Sequence, residues 1–294
     1  MPFINAQRER WGVEPICQAL EVAPSSYYAA LSRRPSARQV GDQTVAAEVS
    51  RVHRDNFGVY GVRKVWRQLG REGLAVGRDR VGRLMRSLQL SGVRRGKPKR
   101  TTRPRPGAEP AQDLVDRCFQ ASSPNRLWVA DLTYVWTSAG FSYTAFVIDA
   151  FSRRIVGWRV LNTLRAELAL DALEMALWAR RADQLSELVH HSDRGGQYVA
   201  IRYTERLAEV GAARSVGSRG DSYDNALAET VVGLYKAELI HRQGPWRTRG
   251  QVELATSKWV HWWNHRRLHS AAGDLPPVEF EALYHRQRDA SSVA

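Results

Sequence analysis

The chain has 294 residues, with 44 Lys and Arg against 30 Asp and Glu, giving a formal charge of +14 and a pI near 10.3. That length accommodates a catalytic core with accessory domains, and the charge asks for a polyanionic partner, a merely basic soluble or ribosomal protein being the plain alternative. Two distant cysteines, Cys17 and Cys118, exclude a disulfide framework and a cysteine-based zinc finger, while no uncharged apolar run approaches a membrane span.

The opening MPFINAQRERWG lacks the apolar core of a signal peptide, so the expected location is the bacterial cytoplasm, at the nucleoid when bound to DNA. Residues 14–21 and 25–33 read as two short helices joined by VAP, with Ser25 as cap, a helix-turn-helix-like segment within 1–40. Residues 41–91 read as a helical DNA-binding module. Apolar residues recur there at helical spacing, Val62, Val65, Trp66 and Leu69, then Val81, Leu84, Met85 and Leu88. Arg63, Lys64, Arg67, Arg80 and Arg83 fill other faces, as a groove-binding domain requires; a solvated basic surface is the plain alternative for each.

Residues 92–112 hold four prolines and seven Lys or Arg, a linker expected to lie along DNA through Arg94, Arg95, Lys97, Lys99 and Arg100. The basic excess stops there: residues 1–112 carry 22 Lys and Arg against 9 acids, and residues 113–294 carry 22 against 21. A DNA-gripping front precedes an acid-bearing body.

From residue 127 the pattern changes to strands. LWVADLTYVWT, the turn SAG, FSYTAFVID, the turn AFS and RRIVGWRV predict a three-stranded antiparallel meander. A helix over 166–182, the strand LVHHS, a helix near 200–210, the strand AARSV and a helix over 223–239 complete the order βββαβαβα. This is an α/β fold, one mixed five-stranded sheet flanked by helices and preceded by an all-α region. The catalytic core is expected over 113–240 and a helical tail over 241–294, its helix at 248–268 and further helix stopped by Pro276-Pro277.

Three acids stand where metal ligands would be useful. Asp131 lies inside an apolar strand, Asp193 closes another, and Glu229 sits on a helix with thirty-five residues between it and Asp193. An unpaired buried carboxylate is expensive, whereas converging carboxylates suit a pair of hard divalent cations and phosphodiester chemistry. A surface location is the plain alternative for any one of them. Lys236, two helical turns after Glu229, faces the same way and could meet a phosphate. Gly195 and Gly196 allow close backbone approach, and Asn225 either orients substrate or supports the helix. Asp149 is a rival carboxylate or a turn cap. His190 and His191 read as structural; His261, His265 and His269 recur every four residues without zinc-type partners.

FGVYGVRKVWRQL (57–69), VGRLMRSLQLSGV (81–93), LWVADLTYV (127–135), FVIDAFSRRIVGW (146–158), HHSDRGGQY (190–198), SRGDSYDNALAE (218–229) and WNHRRLHSAAGDLPPVEF (263–280) together resemble the second-reading-frame (OrfB) product of insertion-sequence-three family elements. That family has a retroviral-integrase-like catalytic core. The resemblance implies a ribonuclease-H-like fold, two Mg²⁺ or Mn²⁺ ions, and Asp131, Asp193 and Glu229 as catalytic acids. It also implies copy-out, paste-in transposition, in which one strand at one element end is nicked and its 3′-hydroxyl attacks beside the other end. Implied partners are double-stranded DNA (terminal inverted repeats and target), further copies of the chain, and an upstream-frame (OrfA) product or fusion. Trp263 stands where the family pattern has tyrosine. Two other functions compete. A tyrosine recombinase would use the HxxR pattern at 191–194 with Tyr223 or Tyr235, but needs a helical catalytic domain. A DNA-end-binding regulator or remnant would hold ends without cutting.

Overall fold

A computed structural model describes residues 1–94, 121–181, 183, 185–193, 197–198, 200–216 and 225–293. Two compact units divide at Val49/Ser50. The first holds α1 (Pro2–Trp11), α2 (Val13–Ala19), α3 (Pro24–Ser32) and most of α4 (Ala37–Asp55). Ile4, Ile16, Cys17 and Tyr27 form its small core. α1 is absent from the sequence-based expectation because its charged turns show little apolar periodicity. Ser25 is not a cap: Ala23 holds the N-cap and Pro24 starts α3, a place where its missing N–H costs nothing.

The second unit opens with the end of α4, then α5 (Val62–Arg71) and α6 (Arg78–Ser87). Val65, Leu69, Val81, Leu84 and Met85 are buried at the expected helical spacing. The sheet follows: β1 (Leu127–Thr137), β2 (Gly140–Asp149), β3 (Ile155–Leu161), β4 (Val189–Ser192) and β5 (Ala213–Val216), in the order β3-β2-β1-β4-β5. β1–β2 and β2–β3 are antiparallel, β1–β4 and β4–β5 parallel. The expected five-stranded mixed sheet is thus formed.

α7 (Ala166–Ala179) lies on one face, where Trp128, Ala130, Ala145 and Val147 meet Leu168, Ala172, Leu173 and Ala176. Gly157 makes this approach possible, because a Cβ there would stand 2.0 Å from the Ala172 carbonyl oxygen. α8 (Ile201–Glu209) joins the same layer, its Tyr203 hydroxyl 3.0 Å from His190 Nε2. α9 (Ala226–Tyr235) runs into a π-helical turn (Lys236–Ile240) and the short α10 (His241–Gln243), so the expected single helix changes its winding after Tyr235. α11 (Arg249–His265) places Trp259 and Trp263 in the interior, with Trp259 against Phe146 and Tyr235.

The C-terminal segment is bound into this unit by backbone clasps. The Asn264 amide accepts from Ile155 N–H (2.9 Å) and donates to Ile155 C=O (2.8 Å), continuing β3 with a side chain. The Trp263 indole donates to Arg153 C=O at 2.8 Å, and Trp262 to Asn56 at 2.9 Å. His269 lies beyond α11, buried against Trp263, so no helical stripe of three histidines exists; only His261 and His265 stack. Pro276-Pro277 also does not end helix formation. Pro277 begins α12 (Pro277–Val293), since proline is tolerated in a first turn. Among the described residues no helix is long and apolar enough to cross a membrane.

Candidate active site

The site begins with strand register. β1 and β4 are parallel, with Ala130 opposite Ser192. The next residues are Asp131 and Asp193, so both acids leave adjacent strands at one level, where strands lie roughly 4.8 Å apart. α9 packs on β1 and is fixed by Asn225, whose buried amide donates to Ala130 C=O at 2.9 Å. Glu229 lies in the first turn of that helix. Below, the Tyr235 hydroxyl sits 2.7 Å from Thr256 and 3.5 Å from Thr144, joining α9 and α11 to β2.

Electrostatics report the same convergence. Burial pushes the Asp131 carboxyl up to about 7; the Leu132 N–H opposes this, Asp193 and Glu229 add to it, and Lys236 opposes it. Asp131 Oδ1 accepts from Leu132 N–H at 2.8 Å. Among the described residues no three such side chains close on one point as they stand. The donor set is nevertheless all carboxylate, as hard divalent cations prefer, and its members repel one another. Lys236 opens the π turn, its Nζ 4.7 Å from the centre of the Tyr134 ring. Burial lowers its pKa, and Asp131 counters this.

Asp149 is elsewhere. It pairs with Trp128, three residues down β1 from Asp131, and accepts from Asn125 N–H and Phe151 N–H, both at 2.9 Å. It therefore caps the β2–β3 turn. Sequence reasoning passed over Tyr198, five residues beyond Asp193. Its buried hydroxyl has no hydrogen-bond partner among the described residues, and the charges of Asp131 and Asp193 reach it.

The basic candidates have varied surroundings. Arg63 and Arg67 reach Asp274 at 2.9 and 3.3 Å, and Lys64 lies over the Tyr60 ring at 5.3 Å. Burial lowers the Lys64 pKa to about 7, with Arg267 contributing. Arg80 and Arg83 are half-buried and Arg94 is exposed. Arg95, Lys97, Lys99, Arg100, Gly195, Gly196, Cys118, Arg194 and Tyr223 fall outside the described residues.

Comparison with known proteins agrees with this architecture. Integrase core domain models match residues 121–222 and 211–277, and an HTH-like domain model matches 41–98. A provisionally named transposase for insertion sequence element IS986/IS6110 from Mycobacterium tuberculosis is 55% identical over 92% of this chain and 98% of its own length. The transposase for insertion sequence element IS629 from Shigella sonnei is 52% identical over 97% and 96%. The HTLV-2 integrase catalytic core domain in complex with magnesium shares 14% identity over 54% of this chain and 98% of its own, with a TM-score of 0.43. The tyrosine-recombinase alternative is overturned by these relatives and by the sheet itself, and Tyr235 is buried between two threonines. The chain belongs to the insertion-sequence-three family of transposases and carries an integrase core domain.

Proposed function

We propose that Asp131, Asp193 and Glu229 form the catalytic centre of a DNA transposase that cuts at insertion-sequence ends and joins the freed 3′-hydroxyl to a new phosphate. The observation carrying this reading is the β1–β4 register beside Asn225, which brings Asp131 and Asp193 together under α9. The three carboxylates would hold two divalent cations, Mg²⁺ or Mn²⁺, which supply charge neutralisation at the attacking and leaving oxygens. The chain's own residues do the positioning. The backbones of Asp131 and Asp193 are held at one level by neighbouring strands, so only side-chain movement is needed to bring their carboxylates onto a cation. Asn225 holds Glu229's helix to β1, and Lys236 offers a cation to the phosphate beside the reacting bond. Holding a DNA end against its target supplies much of the remaining advantage.

The HTH-like region and the basic linker would grip the element's inverted repeats, with target DNA crossing the acid cluster. Copy-out, paste-in chemistry needs two ends together, which fits a multimer on DNA and an upstream-frame partner. The test uses the full chain and a plasmid bearing the element's own ends. Asp131→Asn, Asp193→Asn and Glu229→Gln should each lower cleavage and strand transfer by on the order of 10³-fold or more, with end binding retained and EDTA abolishing activity. Near-normal cleavage in any variant, activity that survives EDTA, or a covalent tyrosine–DNA adduct would overturn the assignment. Inactivity of the unsubstituted chain with intact end binding, even when the upstream-frame product is supplied, would identify a regulator or remnant.

A further inference from the structure

On the β4 side the last β1 pair is Ala130–Ser192, and among the described residues β1 has no further strand partner there until Thr137 bridges to Trp246. At this end of the β1–β2 hairpin the chain exposes aromatic side chains that a soluble surface usually covers. Tyr134 is 59% exposed, Trp136 65% and Phe141 47%. Tyr134 lies opposite Tyr143 and Trp136 opposite Phe141 in the ladder. The rings meet edge to face: Trp136–Phe141 at 4.8 Å and 78°, Tyr134–Phe141 at 5.6 Å and 89°. Edge-to-face packing leaves ring faces open. Beside them lies a cleft of about 490 Å³ lined by Tyr134, Trp136, Lys236, His241, Pro245 and Trp246.

We propose that Tyr134, Trp136 and Phe141 form a stacking ledge for unpaired bases at the DNA end, next to the reacting phosphate. This rests on the assignment of Asp131 to the catalytic centre. Tyr134 is three strand residues from Asp131, roughly 10 Å along β1, and the odd spacing turns its ring to the other face of the sheet, so a displaced strand reaches the ledge by passing over the β1 edge beside Lys236. Lys236 links the two places, lying over the Tyr134 ring while its charge is felt at Asp131. Base stacking on aromatic rings tolerates any sequence, because every base has a π face. A cation within the patch suits a polyanion, since Lys236 lies over the Tyr134 ring at 4.7 Å. The ledge therefore acts on ends that fray or are pulled open, holding the displaced bases while the phosphate stays at the acids.

Two probes test this with the full chain: a blunt duplex, and the same duplex ending in unpaired nucleotides that include the fluorescent base 2-aminopurine. The unpaired end should bind more tightly and its fluorescence should be quenched. Trp136→Ala and Phe141→Ala should reduce that preference between about 5- and 150-fold, leaving blunt-duplex affinity and the circular dichroism spectrum unchanged, and Trp136→Tyr should restore part of it. Equal preference in the alanine variants would overturn the ledge. So would a change in the mass of the DNA-free protein on substitution, which would make the patch a contact between copies. The readout is binding, so Asp131→Asn should quench as the unsubstituted chain does. Quenching with a failed triad, or cleavage without quenching, separates the two proposals.

Discussion

Two acid-rich regions of this chain follow opposite electrostatic logics. At Glu281, in α12, carboxylate meets cations: Arg180 at 2.5 Å, Arg154 at 2.6 Å, and the Ser152 hydroxyl at 2.7 Å. Arg180 and Arg154 hold its pKa below the ordinary value although burial pushes it up. A second buried pair, Glu238 with Arg267, is bidentate at 2.6 and 3.1 Å, its guanidinium over Trp263. At Asp131 the neighbouring carboxylates raise the pKa further, with Lys236 acting against them. A buried carboxylate surrounded by arginine has a structural role. A half-buried carboxylate facing other carboxylates stores repulsion that a bound cation relieves.

Breaking each region should therefore have opposite consequences. Glu281→Ala leaves two arginines without their shared partner and should cost about 3–5 kcal/mol in denaturant unfolding, whereas Asp131→Asn should leave stability unchanged or raise it. Equal destabilisation by both would erase the distinction.

The next effect concerns cations. Mg²⁺ at a hundred times its dissociation constant should stabilise the unsubstituted chain by about 2.7 kcal/mol, read as a rise in Tm. Asp131→Asn should abolish that rise and Glu281→Gln should preserve it. A rise that persisted in Asp131→Asn would place the cation elsewhere.

The most gradual effect is a pH slope at His190, the buried anchor between β4 and α8. Burial lowers its pKa to about 3, with His191 contributing. The folded chain therefore keeps His190 neutral between about pH 6.5 and 3, while the unfolded chain takes up a proton. Stability is fully present above pH 6.5 and is lost as pH falls, by at most about 1.4 kcal/mol per pH unit. His190→Gln should flatten that slope; an unchanged slope would mean the histidine titrates freely in the fold.

These contrasts explain which features were legible in the sequence. The meander was, because strand alternation and the turns at SAG and AFS are local signals, and β1–β3 begin and end within two residues of expectation. Asp131, Asp193 and Glu229 stood out because each interrupts or ends an apolar stretch. Glu281 did not, since its partners Arg154 and Arg180 lie more than a hundred residues away and no spacing rule links them. Tyr198 and the exposed rings at Tyr134, Trp136 and Phe141 were equally hidden, because in a one-dimensional pattern they look like core aromatics.

The sequence by itself determined the α/β class, the succession of strands and helices along the chain and the basic front, all written in short-range periodicity, composition or motif. Only the tertiary structure decided that Asp149 caps a turn, that His269 leaves the helix of His261 and His265, and that Pro277 starts a helix. It also showed the C-terminal WNHRRLH stretch clasping β3 and burying Glu238 beneath Arg267. The reason is physical. Local propensity specifies where a side chain sits along its element, but a charge becomes a clasp or a site only through what the fold packs against it.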